Sequence, residues 1–347
     1  MRAFFNIFFC CAIIFGSNSW AERPIRVLSL DGGGIRGILE VMSLTEIEDE
    51  IGKPINQIFD VMVGSSTGGL IALALSIGDE QGKAFYSARS LLEFYTKMGR
   101  EVFHSTVSHK LSTGFGLWGP KYQSAVLKEH LERVLGDTMM SQALVPVIIT
   151  GYHVDGETGV EFSSADAKEF PFDKDCLMRE VAQATSAAPV YFDLANVEFS
   201  WGTLHGVADG GLYRNNPALI AYVNAHRMFP GRDIEVYSFG TGKIGAEELQ
   251  RELNGRGLIN WVGPILKHFQ IGDIEADNTM LHKLINEDGK QNFFRVDIDV
   301  HRDFRAMDNV KRKNIEYLVR RGNELTKTPL FQNMLMHLKQ SIDEPMK

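Results

Sequence analysis

The stretch Ile58-Phe-Asp-Val-Met-Val-Gly-Ser-Ser-Thr-Gly-Gly-Leu70 decides the fold class. Its first six residues, apolar apart from Asp60, read as a strand over 58–63. Gly64 to Gly68 are small enough for a tight turn, and the apolar residues from Leu70 to Ile77 open a helix. The same unit precedes it. Arg26 to Asp31 read as a strand and Gly32 to Gly34 as a turn. Ile38, Leu39, Met42, Leu44, Ile47 and Ile51 then recur at helical spacing until Gly52-Lys53-Pro54 ends the pattern. Two strand-turn-helix units in succession predict a parallel sheet with right-handed crossovers. Pro146 to Gly151 and Ile234 to Phe239 read as further buried strands. Residues 97–122 lack a period and are expected to form a long loop near the functional site. From about Gly257 the pattern is mostly helical, with Asn314, Tyr317, Leu318 and Leu325 on one amphipathic stretch.

Outward from these units, the chain has globular composition: 347 residues, 44% of them hydrophobic and 23% charged. It carries 36 basic and 44 acidic residues, a formal charge of −8, and no basic tract. Nucleic-acid binding rests on phosphate neutralisation, so nucleic acid is excluded as the main partner. Residues 1–21 read as a signal peptide: Arg2, an apolar run from Ala3 to Gly16, and small residues Ser19 and Ala21 before a cleavage site. A membrane-spanning helix needs about 20 apolar residues, more than this run supplies. The expected organisation is therefore a signal peptide, 1–21, cleaved after Ala21, and a single domain, 22–347, with a helical C-terminal part from about 257. The expected location is secreted or periplasmic. Cleavage removes Cys10 and Cys11, leaving Cys176, so the mature chain forms no internal disulfide.

Gly64-Ser-Ser-Thr-Gly68 fits the G-x-S-x-G turn that exposes a nucleophilic serine, with its strand and helix on the correct sides. The helix that follows directs N–H groups and a positive end at the turn, which favours a developing oxyanion. The plain alternative is a glycine-rich turn between strand and helix. Asp31-Gly-Gly-Gly-Ile-Arg-Gly37 also fits the dinucleotide-binding pattern G-x-G-x-x-G. That function requires an acidic residue at the end of the second strand, which instead ends Val63-Gly64-Ser65, while Glu46, Glu48, Asp49 and Glu50 sit on the expected helix. A phosphate loop fails as well, because no Gly-Lys-[Ser/Thr] closes either turn. The remaining reading makes Gly32, Gly33 and Gly34 an oxyanion hole, with Arg36 orienting the loop or binding an anionic head group. For the base, His226, His268, His282, His301 and His337 all follow Asp209, so counting leaves a Ser-Asp-His triad open, although none of them sits in a distinctive turn. Asp209-Gly-Gly211, by contrast, places a carboxylate on a tight turn between two apolar stretches. An Asp-Gly pair is also an ordinary turn.

Taken together, Asp31 to Gly37, Gly64 to Gly68 and Asp209 to Gly211 resemble the patatin-like phospholipase family. Phe59 to Leu70 looks like that family's elbow almost residue for residue, and Ala184-Thr-Ser-Ala-Ala-Pro-Val-Tyr-Phe192 matches a further segment. The resemblance extends from about Arg26 to the helical tail and thins after about residue 245. It implies a three-layer α/β/α sandwich with a mainly parallel central sheet. It also implies a Ser-Asp dyad in which Ser66 is the nucleophile and Asp209 the base, with backbone N–H groups of Gly32, Gly33 and Gly34 as oxyanion donors. The implied substrate is a lipid ester of the phospholipid or lysophospholipid class, met by transient contact with a membrane or micelle surface. No cofactor and no metal are implied. The competing functions are a Ser-His-Asp esterase or thioesterase, and a catalytically idle storage or accessory protein.

Overall fold

The computed structural model describes residues 23–343 apart from 105, 107, 108, 110, 111, 114–117, 244–257 and 287–289. The expected signal peptide and its cleavage after Ala21 lie outside the described residues. Eight strands form one sheet: β1 (Ile25–Leu30), β2 (Val61–Gly64), β3 (Val147–His153), β4 (Thr158–Ser163), β5 (Ala195–Phe199), β6 (Gly202–Asp209), β7 (Ile234–Phe239) and β8 (Phe293–Val296). Their order is β5-β6-β3-β2-β1-β7-β8, with β4 paired to β3. Pairings β3-β2-β1-β7-β8 are parallel, whereas β3-β4, β3-β6 and β5-β6 are antiparallel. The principal helices are α1 (Ile38–Ile51), α2 (Thr67–Ser76), α3 (Ala88–Val102), α4 (Ser124–Leu135), α5 (Met178–Thr185), α6 (Ala218–Met228), α7 (Leu258–Ile285), α8 (Arg312–Leu325) and α9 (Pro329–Asp343).

Alternation along the strands builds the three layers. Leu28 and Leu30 of β1, Met62 of β2, Val147 and Ile149 of β3 and Tyr237 and Phe239 of β7 join a core with α1 to α5 and α9. The alternate residues Ile25, Val27, Val61, Val63, Ile148, Ile234 and Val236 face the opposite way, against α6 and the C-terminal part of α7. Each central strand is thus apolar on both faces because both faces are covered by helices. The expected α/β/α sandwich with a mainly parallel sheet is the observed architecture.

Three local expectations change. Residues 55–58 form a helical turn started by Pro54, so the second strand begins at Val61 rather than Ile58. Residues 97–102 belong to α3 instead of a loop. One face of that helix, Tyr95, Gly99 and Val102, lines a cavity, so the glycine interrupts the apolar period without interrupting the helix. Finally, β8 is a four-residue parallel strand inside the helical tail, too short to carry a periodic signal.

The sheet positions two strand ends opposite each other. On β3, Ile148 to His153 pair with β4 along one edge. The other edge is shared: β2 reaches Gly64 opposite Ile149, and β6, running the other way, reaches Asp209 opposite Gly151. The C-terminal ends of β2 and β6 therefore meet head-on across Thr150.

Candidate active site

Ser66 sits between β2 and α2 with φ 50° and ψ −121°, the left-handed side of backbone space that a side-chain-bearing residue seldom occupies. Its neighbours make the turn possible. A Cβ on Gly64 would lie 2.4 Å from the Gly68 carbonyl oxygen, and one on Gly68 would lie 2.4 Å from the Leu30 carbonyl oxygen. Only hydrogen at both positions lets the chain fold back this tightly against β1. The Ser66 hydroxyl, at the N-terminus of α2, donates to Asp209 Oδ2 at 2.7 Å.

Asp209 closes β6 and is 7% exposed. Its other oxygen, Oδ1, accepts the Gly211 N–H at 2.7 Å, which fixes the carboxylate plane. Burial pushes the Asp209 carboxyl up to about 6, against the opposing pull of the Gly211 N–H and the Ser66 hydroxyl. The carboxyl is thereby a stronger base than an exposed aspartate while still ionised at neutral pH.

The glycine loop 32–34 follows β1, whose Leu30 pairs with Gly64, so it lies beside the elbow. Gly32 donates its N–H to the Asn215 carbonyl at 2.9 Å, and its own carbonyl accepts from Thr241 Oγ1 at 2.8 Å. Of the three anticipated donors, Gly32 is therefore already engaged. No bond is made by the N–H of Gly33 or Gly34 among the described residues, and both glycines line the cavity beside Ser66. Gly34 adopts φ +59°, and a Cβ there would strike the Met307 carbonyl oxygen. Arg36 reaches back to the Gly33 carbonyl through Nε at 3.3 Å and to the Gly242 carbonyl through Nη1 at 3.2 Å. It braces the loop and also lines the cavity.

A support that sequence reasoning missed is the buried pair Asp31–Arg295. The guanidinium from β8 grips both carboxylate oxygens at 2.8 and 2.6 Å, while the Asp31 carbonyl accepts the Gly68 N–H at 3.2 Å. The signal lay in Arg295 of Phe293-Phe-Arg-Val296, an arginine within an apolar run, but its partner is 264 residues away.

Ser66 and Asp209 open onto a cavity of about 700 Å³. It follows one face of α2 past Leu70 and Ala74 and is walled by Leu91, Phe94, Val102 and Phe103, by Leu127 to Leu135 of α4, and by Ala188 to Phe192. Val190 and Leu212 line it and are also exposed, at 60% and 39%. The candidate triad histidines lie elsewhere. His337 bonds Glu235 at 2.8 Å, near the N-terminal end of β7 and so at the opposite end of the sheet from Ser66. His226, His282 and His301 are exposed, and the side chain of His268 lies outside the described residues. Among the described residues, Ser66 Oγ bonds the Asp209 carboxylate and no histidine.

A strained serine on a strand-to-helix elbow, set in a mostly parallel sheet beside an apolar cavity, places the chain in the class of α/β proteins built around a serine elbow. Comparison with known sequences makes the assignment specific. Residues 28–222 match the patatin-like phospholipase family, and the chain belongs to it. It is 30% identical over 341 residues to Patatin-like protein 2 of Arabidopsis thaliana, covering 88% of this chain and 84% of that one. It is likewise 30% identical over 323 residues to a cGAMP-activated phospholipase of Pseudomonas aeruginosa, with coverage of 90% and 92%. Patatin group J-1 of Solanum tuberosum is 28% identical over 343 residues, with coverage of 89% and 85%. Membership gives the chain the general activity of a lipid acyl hydrolase.

Proposed function

We propose that this chain cleaves fatty-acyl esters of phospholipids or lysophospholipids through a Ser66–Asp209 dyad and an acyl-enzyme. The observation that carries the reading is the 2.7 Å hydrogen bond from Ser66 to Asp209 at the mouth of the apolar cavity. With the acyl chain lying along α2, Ser66 Oγ attacks the ester carbonyl and passes its proton to Asp209 Oδ2. The oxyanion draws on the N–H groups of Gly33 and Gly34 and on the positive end of α2. Asp209 then protonates the leaving alcohol, and later takes a proton from the water that releases the fatty acid. A cavity of about 700 Å³ lies within the range of small-molecule sites, and its apolar walls suit a hydrocarbon tail. The exposed apolar residues Val190 and Leu212 at its rim favour brief contact with a lipid surface. Chemistry of this kind requires no metal or cofactor. We read residues 1–21 as an export signal and the mature chain as secreted or periplasmic.

Fatty-acid release from phosphatidylcholine vesicles, measured beside Ser66→Ala, tests the proposal. Release lost in Ser66→Ala supports it. Undiminished release rejects Ser66 as nucleophile, and the absence of release from lysophosphatidylcholine as well rejects the substrate class.

A further inference from the structure

The segment Ala184 to Phe192 has so far served only as cavity wall. Its first residues do something else. Thr185, the last residue of α5, is fully buried, and its Oγ1 accepts the backbone N–H of Ser66 at 2.8 Å. Two residues further on, the Ala187 carbonyl accepts the backbone N–H of Asp209 at 3.0 Å. Both members of the proposed dyad thus hang by their own backbones from one short stretch, although they reach it from separate strands.

Ser66 needs such a hold. Its φ of 50° is unfavourable for a residue with a side chain, and a strained conformation persists only where surrounding contacts over-determine it. At the cap of α2, the Ser66 N–H has no acceptor within its own helix. Thr185 supplies that acceptor from a different helix. Its approach is close: a Cβ on Gly69 would lie 3.0 Å from Thr185 Cγ2, so the second glycine of the Gly68-Gly69 pair leaves room for the threonine.

We infer that Thr185 is a positioning residue, whose hydroxyl oxygen fixes the Ser66 backbone so that Oγ stays aimed at Asp209. The inference rests on the proposed role of Ser66 and deepens it. Thr185 is not among the residues lining the cavity, whereas Ser186 and Ala188 to Phe192 are. Loss of its oxygen therefore reduces the chemical step and leaves lipid binding in place.

Thr185→Val keeps the shape and removes the acceptor; Thr185→Ser keeps the acceptor and removes the methyl group; Thr185→Ala removes the acceptor without a branched side chain. Each is compared with the unsubstituted protein for the rate of labelling by an alkyl fluorophosphonate, for kcat and KM on a phospholipid, and for thermal unfolding. The expected result is that Thr185→Val, or Thr185→Ala should the valine variant not fold, slows labelling and kcat about tenfold or more, with KM changed by less than about twofold. Thr185→Ser stays within about threefold of the unsubstituted rate. Labelling of the folded valine or alanine variant at the unsubstituted rate overturns the inference, as does a serine variant as slow as they are. Ser66→Ala, labelled in parallel, separates the two levels of argument. If it still labels at full rate, the proposed function and the positioning role both fall. If it is silent while the Thr185 variants match the unsubstituted protein, only the positioning role falls.

Discussion

Ser66 and Asp209 are 143 residues apart in the chain, yet Oγ of one lies 2.7 Å from Oδ2 of the other. The register of β3 explains the contact, since β2 and β6 run toward each other along the same edge and end two residues apart, opposite Ile149 and Gly151. If this pair performs the chemistry, Ser66→Ala lowers fatty-acid release by about three orders of magnitude or more, because the nucleophile is lost and Asp209 is left with no hydroxyl to activate. Undiminished far-ultraviolet circular dichroism shows in the same experiment that the fold survives.

In the proposed dyad, titration of Asp209 sets the acid side of the pH profile: its carboxyl must be ionised to accept the Ser66 proton, and burial raises it to about 6. Initial-rate measurements of kcat/KM are expected to rise through pH 6 and level off above it. A rise centred near 4, where an exposed aspartate titrates, shows that burial does not raise the carboxyl that accepts the proton.

The same shift has a stability consequence. The folded protein holds the Asp209 proton more tightly than the unfolded chain, so the contribution is fully present below about pH 4, the unfolded value. It is lost as the pH rises through about 6. Asp209→Asn removes the cost of ionising a buried group and retains an oxygen for the Gly211 N–H. The variant is expected to be inactive, and more stable than the unsubstituted protein at pH 8 by about 1–2 kcal/mol in urea denaturation.

Arg295 supports the glycine loop from behind through Asp31. Arg295→Ala leaves a carboxylate that is 2% exposed without its cation. Loss of one member of a buried pair is expected to cost about 3 kcal/mol or more in equilibrium unfolding. Arg295→Lys recovers only part of this, because an ammonium cannot grip both oxygens at once.

His337 separates the dyad from a histidine triad. It is tied to Glu235, which also accepts the hydroxyls of Tyr237 at 2.9 Å and Ser341 at 2.8 Å, so this cluster fastens α9 to β7 far from the elbow. His337→Ala is expected to lower the unfolding temperature by several degrees. Its kcat/KM should stay within about twofold of the unsubstituted value. A loss of a hundredfold or more favours the triad.

Much of the site was legible in the residues themselves. Gly64 and Gly68 mark a turn because their missing side chains are required by contacts within a few residues of Ser66 and with the adjoining strand. The helical spacing of α1 and its stop at Gly52, which takes φ 73°, were likewise local matters. Asp209 was harder to read, since an Asp-Gly turn is common and only its resemblance to a family motif set it apart. Thr185 and Arg295 carried no local sign of their partners. Nor did Gly32, whose N–H is taken by Asn215 in a loop that the glycine pattern does not mention.

By itself the sequence determined the strand-turn-helix units, the doubly buried central strands and the serine that a tight turn would present. Each follows from side-chain size, backbone freedom and hydrophobic period over a few consecutive residues. Only the tertiary structure decided that β6 enters the sheet antiparallel and ends against β2, and that β8 brings Arg295 under the glycine loop. It also decided that α5 ends with Thr185 beneath Ser66. Strand order and register depend on how the whole chain buries both faces of one sheet, so the partners of a catalytic residue are fixed by packing at long range.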